Sequence, residues 1–489
     1  MPARPLAAIA NNLVDVIVVT AYSGDGHKAF PYFFERAAMM LPEVLTDRTR
    51  SSARVAAAVV ALCWLLVFFD GLDLFVYGAA LPDMLADKAF GLSAAKAGDV
   101  GSVATFGMLL GALSAGMATD RIGRKRVLLL CCALFSVASG LCAVAPDVTL
   151  FGAARLVAGL GLGGLLPTAI ALVAEYAPEG RRNLLIGVLM TAHHAGGIAA
   201  STLGIWLLED FGWRTVFLIG VVPLFVAVPL VARFMPESMA FLMAKGRTAA
   251  AERLSQRYGL AIPAAGEAAA ASDRKAALAQ LFSRDRWRIN TLFWLTSFAG
   301  LLLVYGVSTW LPALMRSEGY NLGSALAFLL VINGGGIAGM FIAGRIADRF
   351  GPVRVAIIWF ALTAAAVYSL GAHLPLIATY VLVFAAGVFL FSAQTMVYAA
   401  VAHVYPTASR ATAIGWTTGI GRFGAVFGPW MGGQLFAAGN QGWGFGIFAL
   451  AALVATGTLL VLKLVLARTG SSSVTEADGV SEPESLNAG

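Results

Sequence analysis

Twelve apolar segments run through the chain and constrain its fold more than any other feature. A helix crosses the hydrocarbon core of a bilayer with roughly 20 residues, and only helices and closed barrels satisfy their backbone polar groups there. Hydrophobic residues make up 59% of the sequence and charged residues only 12%, whereas about a quarter of the residues of a soluble protein are charged. We therefore expect an all-α integral membrane protein with spans at residues 55–80, 98–119, 126–145, 149–175, 184–208, 213–233, 289–314, 322–346, 352–372, 375–402, 411–436 and 443–467.

Basic residues collect in the short segments between alternate apolar runs, and the longest polar stretch, residues 234–288, divides the chain into two halves. The halves, 55–233 and 289–467, are expected to form two six-helix bundles. The net charge of +7 then reflects membrane topology and not a nucleic-acid surface. By the positive-inside rule, both termini and the central loop face the cytoplasm. The basic residues of that loop are Lys245, Arg247, Arg253, Arg257, Arg274, Lys275, Arg284, Arg286 and Arg288.

The two ends of the chain differ from the spans. Residues 1–54 are expected to form a cytoplasmic segment in which residues 1–38 fit neither a signal peptide nor a span. We hypothesise that the native protein starts at Met39 or Met40. Residues 468–489 are rich in Ser, Glu and Gly and are predicted to be a disordered cytoplasmic tail.

The two halves repeat each other at a constant offset of 228 residues. The matching positions are, in pairs, Tyr77 and Tyr305, Gly116 and Gly344, Asp120 and Asp348, Arg121 and Arg349, Gly123 and Gly351, and Arg182 and Arg410. Several charged positions in register across a half are hard to obtain by chance. The repeat predicts two pseudo-symmetric bundles with a pathway between them.

Two acids, Asp70 and Asp73, lie inside the first apolar run. Such residues are costly in a membrane, so they usually face a cavity or a partner and often carry ions or protons. With Tyr77 they follow i, i+3, i+7 spacing, which places all three on one helix face. Counting about 1.5 Å per residue, Asp70 and Arg155 of the fourth run reach a similar depth and can pair. They form a candidate proton site; a permanent structural ion pair is the alternative.

Further candidate residues lie near the bilayer midplane, where transporters commonly bind substrate between their repeats. Arg422 has a fixed charge and a bidentate fork suited to a carboxylate. His193 and His194 reach the same depth, and His194 is the counterpart of Arg422 under the 228-residue offset. Asn333 is a candidate to hydrogen-bond a ring hydroxyl, or else to join two helices. Candidate substrate contacts are Arg422, Tyr77, His194, Asn333 and Tyr305.

The loop after the second run resembles the signature loop between helices two and three of the major facilitator superfamily. It reads Gly116-Met-Ala-Thr-Asp120-Arg121-Ile-Gly123-Arg124-Lys125. In that family the loop gates the cytoplasmic side, and charge pairing with helix-end electrostatics is a plausible mechanism. The resemblance therefore implies gating roles for Gly116, Asp120, Arg121, Gly123, Arg124, Asp348, Arg349, Arg182 and Arg410.

A second set of residues, in the fourth run, is similar to the superfamily motif that carries a proton-associated arginine. The set is Arg155, Gly159, Gly161, Gly163, Pro167, Glu175, Pro178 and Arg182. We assign proton coupling to Asp70, Asp73, Arg155 and Glu175 on this basis.

Together with the segment from Tyr405 to Arg422, these residues resemble the aromatic acid:proton symporters of the superfamily. The resemblance implies uptake of benzoate, hydroxybenzoates or related ring acids across a bacterial inner membrane by a monomer. The partners it implies are a small aromatic acid anion, protons and the lipid bilayer, with no cofactor, metal or catalytic residue.

Three other interpretations stay open. Pro236-Glu237-Ser238 is similar to a segment of sugar transporters, which favours a sugar or quinate-like importer. A proton-driven drug exporter would share the fold, and a non-transporting sensor of aromatic acids would bind the ligand without flux.

Overall fold

The computed structural model describes residues 47–178, 180–258, 281–283, 286–372 and 374–477 of the 489-residue chain. The predicted N-terminal extension, residues Arg274, Lys275 and Arg284 of the central loop, and residues 478–489 lie outside these ranges. Residues from Arg54 onward form one compact unit. All regular secondary structure in the described part is helical, as the apolar runs predict.

The N-terminal half contains five long helices and a broken sixth span. Both prolines of the sixth span, Pro223 and Pro229, lie in the first turn of a new segment, where a helix does not need the N–H that proline lacks. The helices are α1 (Asp47–Ala86), α2 (Ala94–Ile122), α3 (Arg124–Val144), α4 (Val148–Tyr176), α5 (Arg182–Phe211), and the sixth-span segments α6 (Trp213–Ile219), α7 (Val222–Phe225) and α8 (Ala227–Phe234).

Two short helices of the central loop, α9 (Met239–Ala244) and α10 (Thr248–Tyr258), precede the C-terminal half. The C-terminal helices are α11 (Trp287–Ser317), α12 (Leu322–Phe350), α13 (Pro352–Ser369), α14 (Leu376–Val404), α15 (Thr407–Ala437) and α16 (Gly444–Ala477). The helix α16 continues through residues 468–477, the first ten residues of the tail that the sequence predicts to be disordered. No proline lies among these residues to stop the helix.

Eleven spans in the described residues are long and apolar enough to cross a membrane. The twelfth predicted span, α15, falls below that limit because it is rich in glycine and threonine and carries Arg410 and Arg422. This helix packs against α11 of its own half and α2 of the other half. The predicted architecture of twelve helices in two bundles is confirmed.

The 228-residue repeat is visible in the helix bounds. Adding 228 to the bounds of Ala94–Ile122 gives Leu322–Phe350, and adding it to Val148–Tyr176 gives Leu376–Val404. Gly123 and Gly351 also share a backbone conformation, with φ of 96° and 83°. The two halves therefore have the same local structure as well as similar sequences.

The two bundles are in close contact at one end of the molecule, which we call the closed end and which contains the start of α2 and the end of α15. Gly98 and Gly433 meet there, since a Cβ built on Gly98 would lie 2.9 Å from the Cα of Gly433. Nearby, the Ser102 hydroxyl donates a hydrogen bond of 2.7 Å to the Val426 carbonyl. Small residues thus let the two backbones approach closely.

The other end, which contains the Gly116 to Lys125 loop, is called the basic end. Glycines of α2, α12 and α15 face open space there, because a Cβ built on Gly116, Gly344 or Gly419 meets no atom within 4 Å. Met117 on α2 is 61% exposed and Phe341 on α12 is 45% exposed. The close contacts between α2 and α15 therefore lie towards the closed end, and the glycines of these helices and of α12 leave open space towards the basic end.

The positive-φ glycines before α3 and α13 give a matched stability test. Both Gly123→Ala and Gly351→Ala place a side chain in a backbone region that L residues rarely adopt, at a cost of about 1 kcal/mol or more. The Cβ at position 123 would also collide with the Glu237 carboxylate, whereas the Cβ at position 351 meets open space. We expect Gly123→Ala to lower the thermal midpoint in detergent more than Gly351→Ala. Equal shifts would contradict the contact with Glu237.

Candidate functional site

A buried ion pair joins α1 and α4 within the N-terminal bundle. Arg155 Nη1 lies 2.8 Å from Asp73 Oδ2, and both side chains are 2% exposed. The other oxygen of Asp73 accepts a hydrogen bond from the Ser139 hydroxyl. The break at the end of α6 brings Gly220 against Ser139. A Cβ built on Gly220 would lie only 2.6 Å from the Cβ of Ser139. Both oxygens of Asp73 are therefore partnered.

Two aromatic rings surround the guanidinium of Arg155. Its Cζ lies 5.6 Å from the ring centroid of Tyr77 and 5.8 Å from that of Phe217, within the range of cation–π attraction. The Tyr77 hydroxyl donates a hydrogen bond of 2.6 Å to the Ala97 carbonyl. Tyr77, which the sequence suggested as a substrate contact, is thus a neighbour of the ion pair.

Asp70 has a different environment from Asp73. Its Oδ2 lies 3.3 Å from Nδ1 of His193 on α5, while its buried Oδ1 has no hydrogen-bond partner among the described residues. The Asp70 side chain is 2% exposed and that of His193 is 18% exposed. The sequence placed both aspartates at one site with Arg155, but the structure pairs Asp73 with Arg155 and Asp70 with His193.

Arg422 supplies a cation from the C-terminal bundle. Its Nη1 donates a hydrogen bond of 3.2 Å to the hydroxyl of Tyr305 on α11, and its buried Nε has no partner among the described residues. Tyr305 also packs against the apolar core of the N-terminal bundle. Arg422 and Asp70 interact electrostatically. The two halves therefore each contribute one charged group with an unpartnered buried atom, Asp70 from the N-terminal bundle and Arg422 from the C-terminal bundle.

His194 and Asn333 join the bundles directly. His194 Nδ1 lies 3.0 Å from Asn333 Oδ1. The amide nitrogen of Asn333 donates a separate hydrogen bond to the Leu329 carbonyl. Because the amide nitrogen is used in that way, the Asn333 oxygen faces His194, and His194 Nδ1 carries the proton. His194 is 2% exposed and Asn333 is fully buried. In this conformation the two residues bind each other.

A polar cluster at the basic end holds the Gly116 to Lys125 loop to the segment after α8. Arg124 forms an ion pair with Glu175 and donates a hydrogen bond of 3.0 Å to the Ser238 hydroxyl. Glu237 accepts from the Lys125 backbone N–H at 3.0 Å, a carboxylate at a helix N-terminus. We call Arg124, Lys125, Glu175, Glu237 and Ser238 the gate cluster.

The placement of Glu175 corrects its predicted role. Arg155 and Glu175 lie 20 residues apart on α4, which is about 30 Å along the helix axis. Glu175 therefore belongs to the gate cluster and not to the buried aspartates. Its carboxylate also accepts hydrogen bonds from the Ser238 hydroxyl at 2.8 Å and from the Ala240 backbone N–H at 2.7 Å.

The remaining predicted gating residues lie at the basic end around this cluster. Gly116, Asp120, Arg121, Arg182, Asp348 and Arg349 are exposed, and Arg410 is half-buried with its Nε donating to the Tyr405 carbonyl at 3.4 Å. The gate cluster also contains Glu237 and Ser238, which sequence reasoning did not assign to the gate. Their signal was the Pro236-Glu237-Ser238 segment, which resembled sugar transporters. This segment contacts the Gly116 to Lys125 loop and the end of α4.

Known proteins resemble this chain over most of its length. A sequence model of the Major Facilitator Superfamily matches residues 63–343 and 327–486. The gentisate transporter of Corynebacterium glutamicum is 36% identical over 422 residues, which cover 84% of this chain and 88% of that protein. The benzoate transport protein of Acinetobacter baylyi is 34% identical over 390 residues, which cover 78% and 83% respectively.

The fold also matches solved structures. The xylose transporter XylE from E. coli, in a partially occluded inward open conformation, superposes with a TM-score of 0.66. The match covers 82% of this chain and 96% of that chain at 19% sequence identity. At this identity the likeness shows the fold alone.

The buried ion pair predicts a double-mutant result. Asp73→Asn or Arg155→Met alone leaves the other charge buried and unpaired, which costs about 3–5 kcal/mol. The double variant removes both charges, so we expect it to lose clearly less stability than the sum of the single losses. Thermal unfolding in detergent measures this. The exposed pair Asp87 and Arg214, at 3.5 Å, is the control, and its cycle should give at most about 1 kcal/mol. Additive losses at Asp73 and Arg155 would contradict a stabilising pair.

Proposed function

The chain belongs to the Major Facilitator Superfamily, a family of transporters, and on that basis we propose that it imports a small aromatic carboxylate together with protons. The two relatives named above are a gentisate transporter and a benzoate transport protein. Gentisate and benzoate are both aromatic ring acids. We place this transporter in a bacterial inner membrane, with both termini in the cytoplasm and the single chain as the working unit.

Arg422 carries the proposal. A guanidinium that lies at the interface of the two halves, with its Nε buried and unpartnered, leaves an edge free for a bidentate bond to a carboxylate. Burying a charge without a full set of hydrogen bonds is costly unless a ligand completes them. A planar anion that enters between the bundles would complete this set.

The open basic end supports alternating access. With basic loops on the cytoplasmic side, the described conformation would face inward, with its closed end towards the outside. Return to the outward-facing state would require the α2 and α15 contacts at Gly98 and Gly433 to separate and the basic ends to close. We propose that the gate cluster and the charged residues around it, Asp120, Arg182, Asp348 and Arg410 among them, stabilise that closure.

Buried carboxylates support proton coupling. A membrane protein does not keep Asp70 and Asp73 at 2% exposure without a use or a partner. One proton imported with one monoanion moves no net charge, and each pH unit of gradient then contributes about 1.4 kcal/mol. The pH gradient alone would therefore concentrate the acid about 10-fold per unit.

Uptake into proteoliposomes tests the proposal. With an acid-outside gradient, labelled benzoate and 4-hydroxybenzoate are expected to accumulate and to leave again when a protonophore is added. Accumulation that persists with the protonophore would contradict proton coupling. Failure to accumulate either acid, by protein shown to be folded, would contradict the aromatic acid assignment.

Arg422→Lys tests the anion contact. Lysine keeps the charge but loses the fork, and a lost hydrogen bond to a charged group is worth about 1.5–3 kcal/mol. We expect KM to rise roughly 10- to 100-fold. The control is Arg214→Lys, since the Arg214 side chain is 44% exposed at the closed end; its KM should not change. An unchanged KM in Arg422→Lys would remove Arg422 from the substrate site.

A further inference from the structure

We propose that Asp70, and not Asp73, takes up the transported proton, and that it does so because the substrate carboxylate displaces it as the counter-ion of Arg422. This inference rests on the proposed function, since it assumes that an anion binds Arg422. It gives the two aspartates different tasks, although they lie three residues apart on one helix.

Asp73 has no need of a proton. Arg155 neutralises one of its oxygens at 2.8 Å and the Ser139 hydroxyl donates to the other. All of these groups lie within the N-terminal bundle. When the bundles rock as rigid bodies, the partners of Asp73 move with it, and its charge stays balanced in every conformation.

Asp70 has one contact within its own bundle, His193 at 3.3 Å, and interacts electrostatically with one group that can move relative to it. Its Oδ1 has no hydrogen-bond partner among the described residues, and its cation across the interface, Arg422, belongs to the other bundle. The contact between Tyr305 and the N-terminal core places the guanidinium at this interface, because Arg422 is hydrogen-bonded to the Tyr305 hydroxyl.

Other titratable groups face Asp70 from each helix packed around it. They are His193 from α5, Arg422 from α15, Tyr305 from α11, Cys131 and Cys132 from α3, and Asp73 from its own helix. Arg422 is the one that combines a fixed positive charge with an unpartnered edge. It is therefore the group for which Asp70 and an incoming carboxylate compete.

The exchange balances in charge. In the empty site, the Asp70 carboxylate and the Arg422 guanidinium sum to zero. When the substrate carboxylate binds Arg422, a proton from solution binds Asp70, most simply at the free Oδ1, and the sum is again zero. A site with only the anion or only the proton has a net charge, which is costly away from water.

This balance couples the two fluxes. Empty and fully loaded carriers reorient easily because their sites are neutral, whereas half-loaded carriers do not. One proton should therefore accompany each monoanion, and transport should be electroneutral.

Asp70→Asn separates the steps of the cycle. The asparagine resembles a permanently protonated Asp70. The site of the substrate-loaded variant is therefore neutral, and the loaded carrier still reorients. The empty site has the uncompensated charge of Arg422, so the empty carrier does not return. We expect exchange of labelled for unlabelled benzoate at equal pH to be retained. Accumulation driven by an acid-outside gradient should fall to a ratio of one. Asp70→Glu, which keeps the titratable group, should restore part of the accumulation.

Asp73→Asn is the matched control on the same helix. It leaves Arg155 uncompensated whether or not substrate is bound, so we expect it to lose exchange and accumulation together. The proposal is overturned if Asp70→Asn accumulates benzoate like the unaltered protein. It is also overturned if Asp73→Asn is the variant that exchanges without accumulating.

A measurement without substrate keeps the two proposals distinguishable. In pH-difference infrared spectra of the reconstituted protein, the carboxylic acid C=O band of a buried aspartate should appear on acidification. We expect Asp70→Asn to lack this band and Asp73→Asn to retain it; the reverse pattern overturns the assignment. If the band belongs to Asp70 but no aromatic acid is transported, the substrate proposal fails while the assignment of the titrating group stands.

Discussion

Charge balance in a low-dielectric interior is the constraint on which the rest of this structure depends. Each ionised group near the centre of the bundles needs a counter-ion, since isolated charge there is far more costly than in water. Arg155 and Asp73 satisfy this requirement locally and permanently. Asp70 and Arg422 satisfy it only in part and across the boundary between the halves. A substrate anion can change the balance at the second pair without disturbing the first.

The fold places the first pair within one bundle and the members of the second pair on the two different bundles. The first is held within one bundle by α1, α4 and the broken sixth span, whose Gly220 packs against Ser139. The second spans α1 and α15, and α15 also makes the closest contact with α2 at the closed end. Motion of the bundles therefore changes the surroundings of Arg422. Arg155 stays in contact with the rings of Tyr77 and Phe217, which belong to its own bundle. The gate cluster, at the other end of α4, is about 30 Å away from the ion pair.

Much of this architecture was predictable because hydropathy and a repeat are one-dimensional signals. The spans and the 228-residue offset follow from them, whereas the superfamily was identified by the resemblance of the Gly116 to Lys125 loop; the fold and the family are confirmed. The partners of individual side chains were harder to predict. Glu175 was assigned to the proton site because a motif along one helix does not say which end of the molecule each residue reaches. His194 and Asn333 bind each other across the interface, a contact that depends on the conformation and leaves no pattern in the chain. Asp70 and Asp73 share a helix face, but only packing against α3 and α5 separates their partners.

Proton uptake on substrate binding tests the central claim most directly. Purified protein in weakly buffered detergent solution at neutral pH is mixed with saturating benzoate, and a pH indicator reports the protons bound. If the anion displaces Asp70 from Arg422, close to one proton should be taken up per benzoate bound, and Asp70→Asn should bind benzoate with no proton uptake. Binding by the unaltered protein without proton uptake, or unchanged uptake in Asp70→Asn, would contradict the account.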